Sequence, residues 1–211
     1  INHLLLENDV RSTTNYLPAD ERRVATVETV IELASTTNPG DITTSAIAAK
    51  MGLTQGALFR HFPTKDAIIE AVIEWVVERL MTRVEAAAAS QTSPLASLEM
   101  VFMAHIDFVA AHPGVPRIIF GQLQHAEQTV AKRTAQAMLL RYAKRVAELL
   151  ADAQRCDEVD RHLDVDAAAT LFVGTIQGLV MQSLIHGDVL RMRVDAPRVF
   201  RIFRRGVERA Q

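Results

Sequence analysis

Residues 42–69 read ITTSAIAAKMGLTQGALFRHFPTKDAII. Apolar spacing and breaker residues divide this stretch into two short helices, a tight turn between them, and the start of a third, longer helix. Thr43 or Thr44 can cap the first, because a hydroxyl accepts from the free N–H groups of an opening helical turn. Ile47, Ala48 and Met51 follow as an apolar stripe at helical spacing. Gly52 stands where the chain must leave that helix with positive φ, a conformation that costs glycine little. Thr54 can cap the second helix, on which Leu58 and Phe62, four residues apart, share the buried side. Pro63 stops it, and Thr64 caps the next. Two short helices about a glycine-bearing turn form a helix-turn-helix pattern, whose second helix can enter a DNA major groove.

Working outward, the apolar spacing predicts helices on both sides. Helix 1 is expected over about 19–37, with Val24, Val27, Ile31 and Ala34 on one buried face and Asn38-Pro39-Gly40 ending it. Helices 2 and 3 are expected at about 44–51 and 54–61. Helix 4 starts after Thr64 and continues to about Ser90, with Trp75 at a domain junction. Further helices are expected at about 95–111, 115–124, 127–153, 164–186 and 196–209, the last capped by Asp195. Residues 1–18 read as an N-terminal arm or a short extra helix, 19–66 as a helix-turn-helix domain, and 67–211 as a second, helical domain.

Composition agrees with an all-α fold. Of 211 residues, 49% are hydrophobic and 23% charged, with 9 glycines and 7 prolines. A chain of this length can bury roughly 70% of its unfolded surface without a disulfide or metal staple. The lone Cys156 permits no internal disulfide, which fits a reducing cytoplasm; beside Asp157 and Glu158 it reads as an ordinary free thiol near a helix end. Residues 167–187 are apolar enough to be weighed as a membrane span. Gln177 and Gln182 at their centre, and the lack of flanking cationic anchors, favour a buried helix, so no membrane partner is expected. The net charge is −2, and residues 1–75 carry six Lys/Arg against ten Asp/Glu. A DNA-binding field must therefore be local, at Arg60, His61 and Lys65.

The string GLTQGALFRHFPTKDAI, with Thr43-Thr44, Ile47-Ala48, Gly52-Leu53, Gly56, Leu58-Phe59, Phe62, Lys65 and the apolar run after it, resembles the DNA-binding domain of the TetR family of bacterial transcriptional repressors. The resemblance covers about residues 21–70; beyond them only the helical layout and Leu171–Gly187 look familiar. It implies a homodimer bound to a palindromic double-stranded DNA operator and released by a small-molecule inducer, with 67–211 as the helical ligand-binding and dimerisation domain.

Under that resemblance the second short helix must anchor on phosphates and touch base edges. Thr54 suits a phosphate at the helix start; Gln55 can pair bidentately with adenine, and Arg60 with guanine. Gly56 and Ala57 let the backbone approach, the Ala57 methyl meeting a thymine methyl. His61 and Lys65 would hold phosphate; from helix 2, Thr44 suits a phosphate and Ser45 either a phosphate or a base. Phe59 departs from the family pattern, in which tyrosine gives a hydroxyl to a phosphate, and Ser45 is short where a longer basic side chain is frequent.

Helix 8 is apolar around most of its circumference, so it needs cover on two sides. Phe172, Ile176, Leu179 and Val180, with Phe200 and Phe203 of helix 9, are the expected dimer residues, and Gly174 and Gly178 allow close approach. Two helices from each subunit would form the four-helix interface the resemblance implies. It also implies an inducer pocket among helices 5 to 8. Its candidate lining is Phe102, His105, Ile106 and Val109, then Met138 and Tyr142, then Phe172 and Gln177, mostly apolar as ligand sites are. A ligand fitting one tilt of helix 4 would shift the population away from the DNA-bound form.

Seven histidines raise the question of a metal, but no H-x-x-x-H, H-E-x-x-H or cysteine cluster is present, so neither metal nor cofactor is expected. No glycine-rich phosphate loop or nucleophile elbow points to an enzyme. Two other readings stay open: a DNA-binding family member without small-molecule induction, and a helical interaction protein with vestigial DNA binding, which the acidic N-terminal balance favours.

Overall fold

The computed structural model describes residues 18–208. The expected arm, with Leu4-Leu5-Leu6 and Arg11, and the helix 9 residue Arg209 lie outside the described residues; only Pro18 of the arm is included.

Nine α-helices follow one another among the described residues: α1 (Ala19–Thr36), α2 (Thr44–Lys50), α3 (Gln55–Phe59), α4 (Lys65–Ala88), α5 (Pro94–Ala111), α6 (Gly114–Gln124), α7 (Val130–Arg155), α8 (Val165–His186) and α9 (Arg191–Val207). A 3-10 turn, Pro39–Asp41, joins α1 to α2, and an isolated bridge pairs Val159 with Glu208. The fold is all-α, with no β-strand among the described residues.

Helix starts follow side-chain capping. Thr43, Thr54, Thr64, Ser93, Thr129 and Asp164 each accept from the backbone N–H three residues on. Of the two threonines that could cap α2, Thr43 does so, which leaves the Thr44 hydroxyl for other work. α7 accordingly begins after Thr129, later than its periodicity suggests.

Helix 9 needs a correction. Asp195-Ala196-Pro197 imitates a helix start, but α9 already begins at Arg191 and Pro197 lies inside it. Asp188 serves the start instead, accepting from the N–H groups of Leu190 and Arg191 at 3.0 and 3.3 Å. Asp195 forms ion pairs with Arg191 and Arg198 along the helix.

One continuous apolar core runs from α1 to α9. In α1 the buried stripe is Val27, Val30, Ile31 and Ala34; Val24, expected on it, is 40% exposed one turn nearer the N-terminus. α4 packs on α1, α5 and α7, so this one long helix ties the N-terminal unit to the remainder. Trp75, midway along it, lies against Phe108 and edge-on to His112, 5.1 Å between ring centroids. α6 packs on both α1 and α7.

Candidate nucleic-acid interface, cavity and partner face

Gly52 takes φ 66° and ends α2, and Leu53 N–H closes the turn on the Ala48 carbonyl at 2.8 Å. Leu58 and Phe62, 1% and 0% exposed, fasten α3 to the core from below. Their burial sets the rotation of the helix. Thr54, Gln55, Gly56, Phe59 and Arg60 therefore face solvent, with Ala57 half-buried between them.

Ser45 is exposed beside them on α2, and Thr44 is half-buried. The Gln55 Nε2 donates to Thr44 Oγ1 at 2.6 Å, bridging α2 and α3 on the outer face. Thr54 Oγ1 is engaged by the Ala57 N–H, yet the residue stays exposed, so its hydroxyl proton remains available to an acceptor. Lys65 Nζ donates to the Gly40 carbonyl at 3.1 Å, which draws it toward the α1–α2 connection. His61 is half-buried, and its carbonyl accepts from Arg23 Nη1 at 2.8 Å.

Arg23 escaped the sequence reading. Its guanidinium lies 4.4 Å from the Phe62 ring centroid, so α1 braces the end of the reading helix through both a hydrogen bond and a cation–π contact. Nothing in the local pattern of α1 marks this residue, because its partners are nearly forty positions away. Lys50, a further cation of α2, is held by Glu32 at 2.6 Å.

The second feature is an apolar cavity among α4, α5, α6, α7 and α8, about 70 Å³ in volume and open to solvent at its mouth. Of the expected lining residues, His105, Val109, Met138, Tyr142 and Gln177 border it. Phe102, Ile106 and Phe172 do not. Phe102 and Phe172 stack edge-on at 5.4 Å and both meet Phe200, forming core between α5, α8 and α9. Ile106 is buried outside the cavity wall. Helical spacing on α5 identified an apolar helix but not which of its sides meets the cavity.

The sequence reading also missed the wall supplied by α6, where Val115, Pro116, Ile119, Phe120 and Leu123 line the space, and by α4 through Val76 and Leu80. The strong one-sidedness of α6 was the available signal. Burial lowers the His105 pKa to about 4, so the imidazole is neutral near pH 7. Burial likewise pushes the Tyr142 hydroxyl pKa upward.

The third feature is the outer face of α8 and α9, and here the expected dimer residues need correcting. Phe172, Ile176, Val180, Phe200 and Phe203 are 0–5% exposed within a single protomer. Leu179 is half-buried. The exposed stripe of α8 is offset by one position: Leu171, Gly174, Gly178, Met181 and Ile185, spaced +3, +4, +3, +4. A Cβ built on Gly174 or Gly178 meets nothing within 4 Å. Ile202 of α9 is 72% exposed and shares a shallow groove with Leu171, Thr175 and Val199. A helix apolar all round carries no phase in its sequence, which is why the offset was not legible.

A glycine-turned pair of short helices, braced on a third and backed by an all-helical C-terminal part, is the architecture of a helix-turn-helix regulator. Residues 28–72 match the family model of bacterial regulatory proteins of the tetR family, and residues 123–195 that of the tetracyclin repressor-like C-terminal domain. Together these stretches make up more than half of the chain, which belongs to the TetR family of DNA-binding transcriptional regulators.

Among curated relatives, the nucleoid occlusion factor SlmA of Marinomonas sp. (strain MWYL1) is 22% identical over 161 residues, 76% of this chain and 82% of that protein. SlmA of Alteromonas mediterranea is 34% identical over 93 residues, 44% and 48% of the two chains. Among solved structures, the ketosteroid transcriptional regulator KstR2 of Mycobacterium tuberculosis superimposes with a TM-score of 0.77 at 19% identity, over 90% of this chain and 96% of that one. The transcriptional regulator FadR of Bacillus subtilis, in complex with stearoyl-CoA, gives 0.73 at 17%, over 88% and 99%. At these identities the structural likeness speaks to the fold.

Proposed function

We propose that this chain is a cytoplasmic homodimeric repressor that binds a palindromic operator and is released by a small, mostly apolar ligand. The observation that carries the reading is the exposed face of α3. Gln55 and Arg60, side chains suited to adenine and guanine edges, stand out on a helix with small residues at Gly56 and Ala57. Thr54, Thr44 and Ser45 would take phosphate, with Ser45 also able to meet a base, while the His61 ring and, once its bond to the Gly40 carbonyl loosens, the Lys65 ammonium would add donors. The ring of Phe59, 41% exposed, would lie against the sugar–phosphate backbone.

Dimerisation would use the outer stripe of α8, from Leu171 to Ile185, with Ile202 of α9. Large apolar side chains left in water on one continuous face support a protein partner. The open space over Gly174 and Gly178 supports a close helix. By length and composition α5 and α8 are apolar enough to cross a membrane, but both lie within the helical packing described above.

Ligand control would act through the cavity wall. α4 contributes Val76 and Leu80 and begins at Lys65, directly after the reading helix; α6 contributes five wall residues and packs on α1. A ligand that fits one arrangement of α4 and α6 better than the other would alter the spacing of the two reading helices in the dimer. KstR2, named for ketosteroids, and the Bacillus subtilis FadR, solved with stearoyl-CoA, share this fold and support a ligand with an apolar body.

The curated relatives suggest a second reading, a DNA-binding role in nucleoid occlusion. The apolar cavity favours the first. Mobility shifts with the DNA upstream of the gene, repeated across salt concentrations and with candidate apolar metabolites, test it. Binding that weakens with salt and is relieved by such a compound is the expected result. Binding unmoved by every compound that thermally stabilises the protein would leave the uninduced reading.

A further inference from the structure

Seventeen residues wall the cavity, and none is Asp, Glu, Lys or Arg. Only His105, Tyr142 and Gln177 can form side-chain hydrogen bonds there, and Gln177 is exposed. His105 on α5 and Tyr142 on α7 meet edge to face, 5.2 Å between ring centroids. His105 Nδ1 and the Tyr142 hydroxyl are both sealed from solvent, and neither finds a partner among the described residues. Buried polar atoms are normally paired, and an unpaired one is costly. Phenylalanine at 142 would fill nearly the same space without that cost. Two such atoms, on adjacent rings of one apolar wall, mark a place where a bound molecule's polar group completes the hydrogen bonding.

We propose that the cavity takes an uncharged molecule with an extended apolar body and a single carbonyl or hydroxyl group, which pairs with Tyr142 and His105. This deepens the ligand-controlled reading above and rests on it. Tyr142 donates its O–H to a carbonyl or hydroxyl oxygen, and a ligand hydroxyl can in turn donate to His105 Nδ1. Carboxylates are excluded by the same wall. No cationic side chain lines the wall to neutralise one, so a buried anion would stay uncompensated.

The test uses the whole chain at pH 7.5 and displacement of Nile red, an uncharged apolar dye, by three probes of equal length: undecan-2-one, undecan-1-ol and undecanoate. The ketone and alcohol should displace the dye at concentrations at least roughly tenfold below undecanoate. Tyr142→Phe should raise the ketone's own dissociation constant by roughly tenfold, the size of one net hydrogen bond, after correction for any loss of Nile red affinity, since the dye's ring carbonyl can also meet Tyr142. Undecanoate binding as tightly as the ketone overturns the proposal, and this comparison needs no variant. An unchanged ketone affinity in a folded Tyr142→Phe protein also overturns it, since a water or the two rings themselves would then satisfy the pair. Failure of Nile red and all three probes to bind would remove the cavity as a ligand site altogether. Tight ketone binding that leaves the protein on its operator would instead sink only the induction reading.

Discussion

A Cβ placed on Gly114 would lie 2.0 Å from the carbonyl oxygen of Ile31 and 3.0 Å from the Ala34 Cβ. The first turn of α6 therefore seats directly on the backbone of α1, where no side chain larger than hydrogen fits. Since α6 also walls the cavity, this contact places the N-terminal unit one helix away from any ligand. Gly114→Ala should lower unfolding stability by about 1–3 kcal/mol through overpacking of backbone against backbone, read as a lower urea midpoint at unchanged slope. An unchanged midpoint would mean that the two helices are free to separate.

Phe59 is an aromatic ring held outward without a polar tip. Phe59→Tyr should restore the phosphate hydrogen bond that the family pattern supplies, tightening operator binding by about 0.5–1.5 kcal/mol. Because the added hydroxyl is solvent-facing, folding stability should stay within about 0.5 kcal/mol. Titration of labelled operator DNA checks the first, and urea unfolding the second. No gain in affinity would place the ring away from the phosphates.

The partner face and the core beneath it separate cleanly by mutation. Leu171→Arg, on a side chain 58% exposed, should convert a dimer to a folded monomer in sedimentation velocity. Phe172→Ala, one residue along, should leave association intact when folded but cost about 3–5 kcal/mol of stability. If Leu171→Arg leaves the sedimentation coefficient unchanged, the α8 stripe is not the interface.

Acidification should weaken the fold through His105. Its pKa falls from 6.5 in the unfolded chain to about 4 in the folded one, so the unfolded state binds the proton more readily between those values. Stability is thus full above about pH 6.5 and declines as pH falls toward 4, by up to about 3 kcal/mol from this group. His112, also lowered by burial and by Arg83, adds to the decline with the same sign. His105→Leu should flatten the dependence of unfolding free energy on pH in this window. An equally steep dependence in the variant would assign it to other groups.

Much of this was legible from the sequence. Threonines at 43, 54 and 64 and the glycine at 52 specify the head by local rules, and the structure uses each of them. Helix existence in the C-terminal part followed from apolar spacing. Rotation did not. On α5, Phe102 and His105 belong to one apolar helix, but only tertiary packing turns the first into core and the second toward the cavity. On α8, uniform apolarity hid the difference between Leu171 and Phe172. The Gly114–Ile31 seat and the Arg23 brace were invisible because each depends on a partner distant in sequence. Asp195 misled for the opposite reason: it carries a strong local cap signal that the packing of α9 overrides.

The central claim is that the outward face of α3 reads DNA bases. Hydroxyl-radical footprinting of the upstream DNA with the wild-type chain and Arg60→Ala tests it most directly. The expected result is protection of two symmetric half-sites, centres roughly 34–36 Å or a multiple apart, with Arg60→Ala weakening binding by about 1–3 kcal/mol and relaxing preference at one base pair in each half. Uniform, sequence-independent protection that Arg60→Ala leaves unchanged, or no protection even at low salt, would contradict it.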